Sequence, residues 1–155
     1  MERTYKLLNR AIEFLLIAIF SLLVLDVLWQ VFGRYVLNRS FSFTEEFARF
    51  ALIWLTILGA AYLNGHRKHL SMDYWLDKLE PVAKARRRKI IEMVMLLFAL
   101  IVMVIGGGNL VNTTLRLGQV SAVMNVPLGF VYAIVPFSGL LIMFFSLYNI
   151  TRHEH

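Results

Sequence analysis

The sequence of 155 residues contains no cysteine. That absence excludes a disulfide framework, a thiolate nucleophile and a zinc site built on thiolates. Histidine is also scarce: there are four, and all of them lie outside the long apolar runs of the chain. The axial ligands of a membrane haem would have to project from within such runs. Since no nucleophile stands near a base in the sequence either, we predict no catalysis, no cofactor and no metal in this chain.

Charged residues are few as well, at 17% of the chain, whereas 59% of the residues are hydrophobic and the mean hydropathy is +0.65. The apolar residues fall in blocks of about twenty, the length that a helix needs to cross a bilayer. The sequence therefore predicts an all-α integral membrane protein that forms a single membrane domain over residues 1–155. Its four transmembrane helices should lie near residues 11–33, 43–64, 90–112 and 127–150.

The segment between the second and third spans is polar, and part of it is amphipathic. Over residues 71–80, four apolar side chains recur at helical spacing, namely Met72, Trp75, Leu76 and Leu79. We predict a short amphipathic helix that lies flat on the cytoplasmic membrane surface, in contact with lipids. His66 and His69 precede this helix, but no third candidate ligand is close to them, so we expect no metal site.

The positive residues indicate how the helices are oriented. The net charge is +6, and twelve lysines and arginines fall in the N-terminal segment, the middle loop and the C-terminal tail, against three on the other side. By the positive-inside rule, both termini and the middle loop are cytoplasmic. Because this charge flanks hydrophobic blocks and is not interleaved with aromatic residues, we expect no nucleic acid partner. The first apolar run exceeds a signal-peptide core and no cleavage site follows it, so we predict a retained helix.

The turn between the first and second spans holds a cluster of charges. Ser42 to Glu45 matches a capping box, in which the Ser42 hydroxyl and the Glu45 carboxylate satisfy free N–H groups at the start of the second helix. Arg49 follows Glu45 by four residues and Glu46 by three, which favours ion pairs on one helix. Arg49 can bond only part of what two carboxylates accept. At least one of them should therefore find another cation, either Arg34 or a residue of a partner.

Other positions inside the spans are candidates for close contacts. Asp26 lies in the second half of the first span, where a charge is expensive and marks either a packing contact or a transport pathway. Gly59, with Thr56 and Ala60 near it, offers a small-residue face on which another helix could lie closely. The glycines at 106–108 in the third span favour close packing or a local flex point, and Pro136 predicts a kink in the fourth span.

An intramembrane carboxylate also permits a different function. Four helices with one strongly polar residue could form a small proton-coupled exporter that acts as a homodimer, with Glu13 or Asp26 as the carrier. The spans lack the paired Gly- or Pro-broken helices that mark many substrate sites, however. The charged middle loop also breaks any symmetry between the two halves of the chain.

A series of residues with characteristic spacing runs from the turn into the second span: Arg34-Tyr35-Val36-Leu37-Asn38, Ser40, Thr44-Glu45-Glu46-Phe47-Ala48-Arg49, Trp54 and Leu58-Gly59-Ala60. This series resembles the signature of the small membrane subunit of tripartite ATP-independent periplasmic (TRAP) transporters. His69 and the stretch from Ser121 to Pro136 fit later segments of that family, so the resemblance covers essentially the whole chain. Phe43 departs from the pattern, since many members carry Trp there.

The resemblance implies a secondary transporter of three parts in the inner membrane of a bacterium. A soluble periplasmic protein captures an organic acid, such as a C4-dicarboxylate or sialic acid, and a large multi-span permease moves it inward with sodium ions. Substrate and sodium sites belong to the large subunit, which the small subunit supports while it helps to dock the binding protein. We therefore expect a scaffold whose candidate structural or subunit-interface residues are Asp26, Arg34, Glu45, Glu46, Arg49 and Gly59.

Overall fold

A computed structural model describes residues 2–39, 41–65 and 81–151 of the chain. The helical segments are α1 (Glu2–Tyr35), α2 (Ser42–Gly65), α3 (Pro81–Phe98), a π-helix (Ala99–Gly106), α4 (Gly107–Arg116), α5 (Leu128–Tyr132) and α6 (Ile134–Thr151). Four helices are long and apolar enough to cross a membrane: Arg3–Tyr35, Ser42–Gly65, Lys89–Arg116 and Leu128–Ile150. The predicted all-α membrane fold with four spans is thus confirmed. The predicted surface helix with Met72, Trp75, Leu76 and Leu79 lies outside the described residues.

The turn after α1 reverses the chain and places α2 beside it. The Asn38 backbone takes a left-handed conformation with φ of 52°, which asparagine tolerates better than most residues. The Arg39 N–H donates to the Gly33 carbonyl at 3.1 Å. The Phe41 ring lies so close to Gly33 that a Cβ there would stand 2.9 Å from a ring carbon. As a result, the last turn of α1 lies next to the first turn of α2.

The start of α2 differs from the prediction. The helix begins at Ser42, so Ser42 occupies the first helical position and Phe41 takes the place of the cap. The Phe41 carbonyl accepts hydrogen bonds from the Thr44 N–H at 3.1 Å, the Glu45 N–H at 3.4 Å and the Thr44 hydroxyl at 2.8 Å. The predicted Ser42–Glu45 capping box is therefore wrong, because Ser42 already lies inside the helix and Phe41 precedes its first turn.

The third span runs from α3 through the π-helix into α4 and ends at Arg116, beyond the predicted end near residue 112. It lies close to the fourth span at Gly107, where a Cβ would stand 2.9 Å from Val135 Cγ1 and 3.1 Å from Pro136 Cδ. The close packing predicted for the glycine triplet is thus present at its middle member. Only a residue without a side chain allows the two backbones this approach.

The fourth span is interrupted at Ala133, between α5 and α6. Pro136 has no N–H to donate to the Tyr132 carbonyl, and its ring crowds that carbonyl, which disfavours a regular α-helix here. The interruption lies about one turn before Pro136, where the sequence predicts a kink. The Trp54 indole N–H donates to the Val131 carbonyl at 3.0 Å, which satisfies a partly buried donor and joins α2 to the end of α5.

The apolar core surrounds α6, which contacts α2, α3, the π-helix, α4 and α5. α1 packs chiefly against α2 and keeps a long apolar face exposed, which suits contact with lipid tails. The buried apolar side chains of the core are Ile12, Leu58, Ala61, Ala99, Ile134, Leu141, Ile142 and Phe145.

Candidate functional site

The turn between α1 and α2 brings two of the predicted site residues together. Arg34, in the last turn of α1, lies 3.7 Å from a carboxylate oxygen of Glu45, in the first turn of α2. Arg34 is thus the additional cation that the sequence predicts for the acidic pair. The side chains are 66% and 47% exposed, so solvent screens the pair and its contribution to stability is about 0–1 kcal/mol. The pair marks an exposed charged corner between α1 and α2.

Glu46 points in a different direction, into the bundle, and is only 9% exposed. Its Oε2 accepts hydrogen bonds from the Val123 N–H at 3.1 Å and the Met124 N–H at 2.9 Å. The Ser121 hydroxyl oxygen accepts from the same Met124 N–H at 3.3 Å. An ionised carboxylate that receives two backbone N–H groups forms strong, charge-assisted bonds. Glu46 therefore ties the start of α2 to the loop before α5, 77 residues further along the chain.

Arg49 does not form the predicted ion pairs with Glu45 and Glu46. Within the part of the chain that the structure describes, it makes no ion pair, because Glu45 faces Arg34 and Glu46 faces the loop. Its side chain is exposed and belongs to a line of exposed residues along one face of α2. We call this line the outward row of α2, and it consists of Glu45, Arg49, Leu52, Thr56, Ala60 and Leu63.

Gly59 lies at the edge of the outward row. A Cβ built there would meet nothing within 4 Å. Gly59 also lines an apolar groove of about 430 Å³ between α1 and α2, whose other walls include Leu16, Phe20 and Tyr62. Both features leave room for another helix beside α2, and the close contact predicted for this small-residue face stays a prediction.

Asp26 does not contact the Arg34–Glu45 pair. It is half-buried in α1, two helical turns before Arg34, and its Oδ2 accepts a hydrogen bond from the Gln30 side-chain amide at 2.6 Å. A neighbour on the same helix thus satisfies part of its hydrogen-bonding capacity. The structure places Asp26 and Gly59 apart from the Arg34–Glu45 pair, so the six predicted residues do not form one site.

A second polar cluster, at the opposite end of the bundle, was not predicted. The Tyr5 hydroxyl donates to the Gly65 carbonyl at 2.9 Å, and the Asn64 amide donates to the Ser146 hydroxyl at 3.2 Å. These bonds join α1 to α2 and α2 to α6. Asn149 of α6 donates in turn to Glu92 of α3 at 3.0 Å, which ties in the third span. Polar residues near the ends of long apolar runs were the available signal, but their pairing across helices has no signature in the sequence.

Among the described residues, no three histidine, aspartate or glutamate side chains converge as metal ligands do. A second groove, of about 320 Å³, is lined by apolar side chains of α1, α2 and α5, including Phe47, Trp54 and Phe130. The prediction that the chain holds no metal or cofactor stays a prediction.

Residues 22–154 match the family model of the DctQ component of tripartite ATP-independent periplasmic transporters. The chain belongs to this family. The resemblance found in the sequence is therefore confirmed, and the matched residues include the Arg34–Glu45 pair, Glu46 and the outward row of α2. The protein is thus a small membrane subunit of a TRAP transporter, a class that works with a large permease and a periplasmic binding protein.

Similar proteins carry the same family name. A putative TRAP transporter small permease protein of Haemophilus influenzae is 30% identical over 135 residues, which cover 87% of this chain and 82% of that protein. The ectoine TRAP transporter small permease protein TeaB of Halomonas elongata is 28% identical, over 86% of this chain and 70% of its own. The sialic acid TRAP transporter small permease protein SiaQ of Vibrio cholerae is 24% identical, over 83% and 78%.

Proposed function

We propose that this TRAP small subunit is a non-enzymatic scaffold of a sodium-coupled transporter for organic acids, in which it supports the large permease and helps to dock the periplasmic binding protein. The observation that supports this role is that three acidic side chains already have hydrogen-bond or ion-pair partners within the chain. Asp26 is bonded by Gln30, Glu45 faces Arg34, and Glu46 binds the loop before α5. A carrier site would instead need a carboxylate that opens onto a polar cavity.

The same observation weighs against the alternative of a proton-coupled exporter acting as a homodimer. Asp26, the carboxylate deepest in the first span, bonds to its own helix, and the two grooves of the described bundle have apolar walls. Glu13 is exposed on α1 and faces neither groove. Neither acid lines either of these grooves, which favours a supporting role over a carrier role.

The substrate of the whole transporter is proposed from its relatives. The names of two relatives refer to ectoine and to sialic acid, and both compounds bear a carboxylate. An organic acid of the sialic acid or C4-dicarboxylate type fits this chemistry. We place the substrate and sodium sites in the large subunit, as membership of the TRAP small-subunit family implies.

The orientation in the inner membrane is proposed from the distribution of charge. Twelve lysines and arginines belong to the N-terminal segment, the middle loop and the tail, against three in the turns on the other side. Both termini then face the cytoplasm, and the Arg34–Glu45 pair faces the periplasm, where the binding protein approaches. Membrane lipids cover the apolar outer face of α1.

Reconstitution in liposomes tests the proposed function. We expect the chain alone to move no organic acid, whereas the chain with its large permease, the binding protein and a sodium gradient should accumulate one of sialic acid, a C4-dicarboxylate or ectoine. Liposomes with the permease and binding protein but without this chain are the matched control. Proton-driven efflux by the chain alone, lost in Asp26→Asn or Glu13→Gln, would establish the exporter instead.

A further inference from the structure

The exposed faces of the first two spans differ in composition. The exposed face of α1 carries large apolar side chains, among them Phe14, Leu25 and Leu28, which suit contact with lipid tails. The outward row of α2 instead combines Arg49 with the small residues Thr56 and Ala60, and Gly59 lies at its edge. In membranes, small residues gather where helix backbones approach closely. The two faces are therefore suited to different neighbours.

The spacing of the outward row fits a straight helix–helix contact. From Glu45 to Leu63 the row spans about 27 Å at 1.5 Å per residue, close to the ~30 Å thickness of the hydrocarbon core. The Thr56 hydroxyl donates back to the carbonyls of Leu52 at 2.9 Å and Ile53 at 3.0 Å. It therefore leaves a small surface without an unmet hydrogen-bond donor at the middle of the span. A neighbouring helix could pack there without having to supply a polar group.

The end of the row near Glu45 differs, because it requires a neighbouring helix to supply a polar group. Arg49 is about two helical turns inside the first residue of α2, is exposed, and makes no ion pair in the part of the chain that the structure describes. Charged side chains in transmembrane segments almost always face protein or water and are paired. A neighbour that lies along this face therefore has to bring an anion or an acceptor to the level of Arg49.

We infer that the outward row of α2, together with Gly59, is the docking surface for a transmembrane helix of the large permease subunit. That helix presents small residues opposite Thr56, Gly59 and Ala60, and a carboxylate opposite Arg49. The inference rests on the proposed scaffold function and names the face of this chain that carries it. It leaves the exposed face of α1 to lipid.

A second copy of this chain fits the same surface less well. Two copies in one membrane share an orientation, and a two-fold contact through this row would bring Arg49 of each copy to the same level. Two like charges at close range repel, the more so where the dielectric constant is low. Glu45, which already pairs with Arg34, offsets only part of this repulsion. A different partner that supplies a carboxylate avoids the conflict.

Photo-crosslinking from single positions tests the surface directly. The chain is co-expressed with the large permease and carries a photoreactive amino acid in place of Thr56 or Ala60. Positions Phe14 on α1, which lines neither groove, and Ile101 in the third span are controls that are also exposed. We expect adducts with the large subunit from positions 56 and 60 and none from 14 or 101. Adducts from the control positions alone, or adducts between two copies of this chain, would overturn the inference.

Two glycines that are open to solvent or lipid provide a matched pair of variants. A Cβ at Gly59 or at Gly108 meets nothing within 4 Å, so an added side chain starts in open space at either position. Gly59→Leu should lower the amount of large subunit that co-purifies by about tenfold, the scale expected from overpacking a close contact. Gly108→Leu should leave it at the wild-type level. Equal yields for both variants would contradict the docking surface.

Charge reversal provides an independent readout at the outer end. Arg49→Glu should reduce co-purification, Arg49→Lys should largely preserve it, and Arg116→Glu, at the exposed end of α4, should have no effect. Suppose that this chain and the large permease co-purify, but no variant lowers the yield and no crosslink forms from α2. The inferred face is then wrong and the scaffold function stands. If the wild-type pair neither co-purifies nor supports transport together, the proposed function itself fails.

Discussion

Glu45 and Glu46 are adjacent in the sequence, yet helix geometry turns their side chains about 100° apart. Glu45 thereby reaches the exposed Arg34, whereas Glu46 faces the loop that precedes α5 and accepts two backbone N–H groups. The two acids therefore differ in what they stabilise. Glu45 contributes to a charged surface, and Glu46 holds two distant parts of the same chain together.

This difference predicts unequal effects on stability. Glu46→Ala leaves the N–H groups of Val123 and Met124 without their acceptor, so the melting temperature of the purified chain in detergent should fall clearly. Glu46→Gln keeps one acceptor oxygen but loses the charge, and its effect should be intermediate. Glu45→Ala removes an exposed ion pair and should change the stability by less than about 1 kcal/mol. Thermal unfolding followed by circular dichroism measures all three. Similar melting temperatures for Glu46→Ala and Glu45→Ala would contradict these roles.

The residue-level predictions succeeded where one side chain could be matched to another. Arg34 could be proposed as a partner of the acidic pair because both are charged and flank one turn. The partners of Glu46 could not be proposed, because backbone N–H groups occur at nearly every position and carry no signature in a sequence. Arg49 was wrongly paired, since a spacing of three or four shows only that side chains can meet, and here both acids have other partners.

At the scale of helices, the third and fourth spans meet where both depart from regular α-helix. The π-helix ends at Gly106, directly before the contact of Gly107 with Val135 and Pro136, and the fourth span breaks at Ala133. Short π-helical stretches and proline kinks alter the direction of a helix without ending it. Because the π-helix and the break in the fourth span lie near each other, the two backbones can approach at Gly107, which has no side chain.

Two adjacent glycines in this region should respond to alanine in opposite ways. At Gly107 a Cβ would stand 2.9 Å from Val135 Cγ1 and 3.2 Å from the Pro136 nitrogen, so Gly107→Ala should destabilise the chain by about 1–3 kcal/mol. At Gly108 the space is open, and Gly108→Ala should be neutral or stabilise the helix by up to about 1 kcal/mol. Thermal unfolding of the two variants in the same detergent compares them. A destabilising Gly108→Ala with a harmless Gly107→Ala would show that the contact is not formed.

The spans and the break at Pro136 could be predicted because each depends on a local property: the length of an apolar run, or an N–H that proline lacks. The π-helix could not, since its altered hydrogen-bond register depends on packing and not on composition. The start of α2 was misplaced for a similar reason. The sequence shows a good capping residue at Ser42, but in the structure Phe41 precedes the helix and packs its ring against Gly33.

At the scale of the whole molecule, hydrogen bonds between polar groups join the helices at both ends of an apolar bundle. Glu46 binds the loop before α5 at one end, and the bonds of Tyr5, Asn64 and Asn149 join the spans at the other. Between them, apolar packing around α6 supplies the core. Lipid gives little apolar driving force between helices, so such polar bonds and close packing must hold the spans together. A chain held in this way can present the outward row of α2 as a fixed surface.

The orientation of the bundle in the membrane gives the last prediction. The excess of lysine and arginine near the termini and in the middle loop predicts that these parts stay in the cytoplasm. Because the chain has no cysteine, single cysteines can report on each side, and Leu37 and Arg87 are exposed positions for them. In intact spheroplasts, a membrane-impermeant maleimide should label Leu37→Cys at once and Arg87→Cys only after the membrane is permeabilised. The reverse pattern would place the Arg34–Glu45 pair in the cytoplasm, away from any periplasmic binding protein.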